Sequence, residues 1–89
     1  MDEYAIQIVN DYIKDHFPDA LELPFFDVFI VWKCHILQNE KYLIATNNKD
    51  GMYYELTFNG DNREWYLDAY KKEENVVITQ EEFFKRHFG

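Results

Sequence analysis

Apolar residues recur every three or four positions at the start of the chain and every second position in its middle. Between residues 2 and 17 the helical period predicts an amphipathic helix, which Pro18 ends. Asp2 and Glu3 fall in its first turn, where the helix dipole favours negative charge. The stripe expected to face the core consists of Ala5, Ile8, Val9, Tyr12, Ile13 and Phe17.

The apolar period changes to two after Pro24, a residue that favours an extended chain. Asp27, Lys33 and His35 occupy odd positions, whereas the even positions from 26 to 36 are all apolar. We therefore expect a long strand whose even face lies against the core. The even set is Phe26, Val28, Ile30, Trp32, Cys34 and Ile36.

Three further strands are predicted at residues 42–46, 52–59 and 64–71. Residues 38–41 read as a polar turn, and Asn59-Gly60 is typical of a tight hairpin with a primed turn. Because all three connections are of hairpin length, an antiparallel meander is the simplest topology.

The end of the chain combines a short apolar stretch with a second helix. A charged connector at 71–75 leads to a short extended piece at 76–78. Thr79-Gln80-Glu81-Glu82 matches a capping box, which predicts a terminal helix that continues through His87. The expected fold is one α+β domain over residues 1–89, in the order α-β-β-β-β-α, with both helices mainly on one face of the sheet.

Aromatic residues remain on the face of the sheet that the helices would not cover. Trp65, Leu67 and Ala69 alternate with polar positions and point to the core, which leaves Phe29 and three tyrosines on the opposite side. Either this face is covered as well, or it binds a partner, since tyrosine is enriched at interface hot spots. We predict a partner-binding surface formed by Tyr53, Glu55, Tyr66, Asp68 and Tyr70.

The charge balance limits the class of partner. The chain has 17 acidic residues against nine basic ones, a net charge of −8, which opposes binding to nucleic acid or to an anionic membrane. A protein partner remains, or a second copy of the chain in a homodimer, because a short meander leaves two open edges. Six acids and only Lys14 fall in residues 1–24, so an acidic mimic of DNA is an alternative function.

Few residues suit catalysis or ligand binding. The chain has no serine, its three glycines form no phosphate-binding loop, and its one cysteine and three histidines lack metal-site spacing. Cys34 and His35 are adjacent in a strand, so their side chains point to opposite faces, and we expect Cys34 to be buried and inert. We therefore predict no catalytic, cofactor or metal-binding residue and no enzyme. A small enzyme using Cys34 or the carboxylates of Glu55, Glu64 and Asp68 is the second alternative.

Three features favour a cytoplasmic protein: a single cysteine, an acidic start where a signal peptide would be basic, and a longest apolar run, residues 28–32, that is too short to span a bilayer. The middle of the chain carries a set of distinctive motifs, namely Trp32-Lys33-Cys34, Leu37-Gln38-Asn39, Asp50 to Thr57 with Asn59-Gly60, and Tyr66 to Lys72. Through these motifs it resembles a family of small uncharacterised proteins carried by phages and prophages of Gram-positive bacteria, a domain of unknown function. This resemblance implies the cytoplasm of a bacterial host and a host or phage protein as partner, and it implies no activity.

Overall fold

A computed structural model describes residues 1–89 and contains two α-helices and four strands. The order α-β-β-β-β-α confirms the α+β prediction. The elements are α1 (Asp2–His16), a short 3₁₀ helix (Pro18–Glu22), β1 (Val28–Ile36), β2 (Asn39–Thr46), β3 (Met52–Asn59), β4 (Glu64–Lys71) and α2 (Gln80–Phe88).

The four strands form one antiparallel sheet in the order β1-β2-β3-β4, which confirms the meander. Helix α1 packs on β1 and β2 from one side. We call that side of the sheet the helix side and the opposite side the outer face. Alternation along the strands turns every second residue toward α1. The buried core lies between α1 and the helix side of the sheet. It consists of Ala5, Val9, Ile13, Ala20, Tyr42, Ile44, Tyr54 and Leu56.

Two turns differ from the sequence prediction. Residues 38–41 are not all turn: β2 already begins at Asn39, and Leu37 makes the tight reversal possible with a left-handed φ of 55°. The β3–β4 hairpin is confirmed, but its turn is wider than a primed Asn-Gly turn. The Asn59 side-chain oxygen accepts the backbone N–H groups of Asp61 and Asn62, and Arg63, not Gly60, has the positive φ.

A β-bulge divides β1 and changes which residues face α1. Ile30 pairs with the buried Ile44, but the next paired residue is Trp32, opposite Leu43, so Val31 is an extra residue. After the bulge Lys33 lies opposite Tyr42 on the helix side. The prediction that Trp32, Cys34 and Ile36 face the core is therefore wrong, because one inserted residue moves them to the outer face.

Helix α2 does not pack on the sheet, contrary to the prediction of two covering helices. Every residue from Lys72 to Gly89 is exposed. The chain leaves β4 and stays extended through Thr79, whose hydroxyl accepts the Glu82 N–H and caps α2 as the capping box predicts. A helix-forming sequence thus determines α2 itself, but not what it contacts. We call residues 76–88 the C-terminal arm.

Candidate functional site

The five residues predicted to bind a partner lie together on the outer face. Tyr53 is directly opposite Tyr70, and Glu55 is directly opposite Asp68, in the register of β3 with β4. Tyr66, opposite Thr57, completes the group on the same side. Their common placement follows from the period of two, since residues opposite each other in an antiparallel pair share one face.

Two tyrosines of this group stack on each other, and all three remain accessible. The rings of Tyr53 and Tyr70 are stacked, with centroids 5.1 Å apart and an angle of 16° between their planes. The exposed fractions are 37% for Tyr53, 40% for Tyr70 and 45% for Tyr66. No element of the chain covers the outer face, so these aromatic rings are available for contact.

Charges on the outer face are unequally compensated. The carboxylate of Glu55 accepts a hydrogen bond from Lys41 Nζ at 2.5 Å, whereas Asp68 forms no salt bridge. This bond and the attraction to Glu55 raise the pKa of Lys41. The nearby carboxylates of Asp68 and Glu55 raise the pKa of the Tyr70 hydroxyl, and a 2.6 Å hydrogen bond to Glu64 raises that of Tyr66. The surface therefore has a net negative charge among aromatic rings.

The bulge extends this surface to β1 with a residue that the sequence prediction missed. Trp32 lies opposite Leu43 on the outer face and is 45% exposed, while Phe29 lies opposite Ala45 on the same face. Residues 28–32 are all apolar, so their pattern contains no signal for the position of the extra residue. With Trp32 included, the outer face has exposed aromatic side chains on β1, β3 and β4.

Cys34 also lies on the outer face, opposite Lys41, and is half-buried. The prediction that it is buried in the core is wrong for the same reason as for Trp32. His35 lies on the helix side, where its Nδ1 is 3.3 Å from Glu40 Oε1. The neighbouring thiol and imidazole thus face opposite sides of the sheet. No group of three or more His, Cys, Asp and Glu side chains is placed to hold a metal ion.

A polar cluster joins the start of α1 to the sheet and was not found from the sequence. The buried hydroxyl of Tyr42 lies 2.7 Å from Glu40 Oε2 and 3.1 Å from Asp2 Oδ1. Lys33 Nζ donates to both oxygens of Asp2, at 2.8 and 3.1 Å. Because one hydroxyl has one proton, Tyr42 donates to one carboxylate at a time and Lys33 balances the other. Asp2 is 31 residues from Lys33 and 40 residues from Tyr42, so local pattern does not reveal the contacts of Asp2 with the sheet.

The cluster favours the charged forms of Asp2 and Glu40 and the neutral form of Tyr42, which are the forms that make these hydrogen bonds. The Tyr42 hydrogen bond lowers the pKa of Glu40, and the Lys33 hydrogen bond is the main cause of the lowered pKa of Asp2. Burial and the two carboxylates raise the pKa of the Tyr42 hydroxyl. Each group has a partner within this chain, so the cluster anchors α1 to β1 and β2.

We expect Tyr42→Phe to lower the free energy of unfolding by about 1–2 kcal/mol, because it removes a charge-assisted hydrogen bond but keeps the buried ring. Carboxyl groups with a lowered folded-state pKa stabilise the fold above their unfolded pKa, and this contribution is lost as the pH falls through the folded pKa. The variant should therefore lose less stability than the wild type on acidification below about pH 4. Urea titrations at neutral and acidic pH measure both effects.

Tyr66→Phe is the matched control for this experiment, since it also removes a hydroxyl bonded to a carboxylate but at an exposed position. It should change stability little. Equal losses in the two variants would contradict the anchoring role of Tyr42.

A model of a family of unknown function, DUF6275, matches residues 2–80, which include α1 and the whole sheet but almost none of α2. No curated protein and no solved structure matches the chain. Neither helix is both long and apolar enough to cross a membrane.

Proposed function

The chain belongs to this family of unknown function, and we propose that it is a non-enzymatic accessory protein whose outer face binds a protein partner. The single observation that carries the proposal is the stacked pair Tyr53 and Tyr70 on a face that no element covers. Paired, pre-ordered tyrosines lose little conformational entropy on binding and offer both apolar area and a hydrogen-bonding tip.

The charge of the outer face defines the chemistry of the partner. Glu55 is paired with Lys41, whereas Asp68 forms no salt bridge, and Glu64 accepts a hydrogen bond from the Tyr66 hydroxyl. A complementary surface would offer lysine or arginine beside apolar groups, since arginine both pairs with carboxylates and stacks on aromatic rings. Phosphate backbones would be repelled, so a protein fits this face better than a nucleic acid.

Phage or prophage origin is the second part of the proposal. It is supported by the sequence resemblance carried by the motifs around Trp32, Gly51 and Tyr66. The partner would then be a host or phage protein in the bacterial cytoplasm.

The proposal is tested by affinity capture with the tagged full chain from cells that carry its gene. We expect Tyr53→Thr, Tyr66→Thr and Tyr70→Thr together to abolish capture of the partner, because threonine keeps the strand preference but removes the rings. Tyr4→Ala is the control, since Tyr4 is an exposed tyrosine on α1, outside the outer face. Retention of every captured protein by the folded triple variant would refute the proposal.

The acidic mimic of DNA is a second candidate, favoured by the acids of the first 24 residues. Of these six acids only Asp2 forms a salt bridge, which leaves five uncompensated carboxylates. Asp15→Lys with Glu22→Lys should abolish binding to a nucleic-acid-binding protein if this candidate is correct. Glu55→Lys with Asp68→Lys is the matched reversal on the outer face, and loss of capture in that variant alone favours the proposed surface.

A further inference from the structure

The C-terminal arm exposes apolar side chains and unpaired backbone in one continuous segment. Val76, Val77 and Ile78 are 63%, 76% and 69% exposed, and their backbone groups form no hydrogen bond with other backbone. Helix α2 adds the exposed rings of Phe83, Phe84 and Phe88, whose aromatic neighbours are one another and His87. Such a segment is suited to pairing with a sheet edge and to covering an apolar face.

The sheet has a complementary uncovered strip on the helix side of β4. Helix α1 packs on β1 and β2, and its Tyr12 ring lies against Tyr54 of β3, so β4 is the strand that no helix covers. Trp65 and Leu67 are only half-buried there, and Ala69 is exposed although it lies on the helix side, opposite the buried Tyr54. The helix side of β4 therefore has apolar side chains that no helix covers, and α2 has apolar side chains that cover no strand.

The dimensions of the chain indicate how much surface is left uncovered. Its accessible surface is 7165 Å², whereas a folded monomer of this mass exposes about 5,600 Å². The difference, about 1,600 Å² for one chain, is about twice the area of about 800 Å² that a standard-size protein interface buries on each partner. The radius of gyration is 16.9 Å, against about 12 Å for a compact domain of this length.

The connector between β4 and the arm favours docking on another molecule. Lys72-Glu73-Glu74-Asn75 contains no glycine or proline, and none of its residues has a positive φ. The turns within the sheet, by contrast, use left-handed residues at Leu37, Gly51 and Arg63. A chain that reverses onto its own β4 edge needs a tight turn, and residues 72–79 form none, so the arm leads away from its own sheet.

We propose that the C-terminal arm docks on a second copy of this chain. Helix α2 of each copy covers Trp65, Leu67 and Ala69 of the other, and residues 76–78 lie along the other copy's β4 edge. The exchange is reciprocal under two-fold symmetry, so it closes as a dimer. Residues 80–89 contain two acids and two bases, so α2 is nearly neutral and is not repelled by the acidic sheet. The outer face stays free, which makes this inference independent of the proposed function.

Sedimentation equilibrium of the full chain gives the first test. We expect the mass of two 10.9 kDa chains for the wild type. The combined variant Val77→Glu and Phe84→Glu should sediment as one chain with unchanged circular dichroism of the sheet. Phe25→Glu is the control, because it places the same charge at a 92% exposed ring outside the arm, and it should stay dimeric. A monomeric wild type, or a dimeric arm variant, would overturn the proposal.

Photo-crosslinking gives the second test and identifies where the arm docks. A full chain with Phe84→p-benzoylphenylalanine is mixed with nitrogen-15-labelled wild type and irradiated. We expect crosslinked peptides that join unlabelled α2 to labelled residues 64–71. Crosslinks confined to one chain would show that the arm folds back on its own sheet, and crosslinks to the outer face would show a different dimer; either result contradicts the exchange.

Discussion

Leu56→Ala should lower the free energy of unfolding by about 3 kcal/mol, the middle of the range for leucine to alanine changes in protein cores. The Leu56 side chain is completely buried, and it lies between Tyr42 and Leu67 in the register of the sheet. Only eight of the 89 residues are buried, so the remaining core has few side chains that could relax into the cavity. For a domain this small, such a loss is a large part of total stability.

Urea denaturation of the wild type and the variant, followed by circular dichroism, measures this loss. Leu37→Ala is the matched control, because Leu37 is 80% exposed in the β1–β2 turn and its removal should cost less than about 0.5 kcal/mol. If the two substitutions cost the same, the core is not where the structure places it.

Gly60→Ala should destabilise the fold by about 2–3 kcal/mol because the added methyl group has no space. The β3–β4 turn lies directly against the β1–β2 turn, and the Gly60 N–H donates to the Asn39 side chain. A Cβ at position 60 would lie 2.9 Å from the Gln38 Cβ and 3.0 Å from its carbonyl carbon. Backbone atoms cannot rotate away as a side chain does, so the two turns would have to separate.

Gly51→Ala provides the contrast, since a Cβ there has its nearest neighbours at 3.8 Å but the residue has a φ of 77°. That change should cost about 1 kcal/mol through backbone strain, and Gly51→Asn should recover part of it because asparagine tolerates this conformation. Gly60→Asn should recover nothing. Thermal unfolding of the four variants distinguishes steric from conformational cost, and a harmless Gly60→Ala would contradict the contact between the turns.

The sequence by itself determined the secondary structure and which residues of the candidate site share one face of the sheet. The helical period of residues 2–17, the alternation in β3 and β4 and the capping box at Thr79 are local signals, and each corresponds to an element in the structure. Alternation in paired strands also determines which side chains share a face. For that reason the pattern of residues alone groups Tyr53, Glu55, Tyr66, Asp68 and Tyr70 on one side of the sheet.

Only the tertiary structure decided the features that depend on distant contacts. The bulge at Val31 moved Trp32 and Cys34 to the outer face, since pairing with β2, and not the apolar run itself, determines which residue is left out. The Tyr42 cluster and the lack of packing between α2 and the sheet also depend on contacts between distant segments, or on their absence. Periodicity defines an amphipathic face because it is a property of neighbouring residues, whereas the surface that covers that face is chosen by packing between segments far apart in the chain.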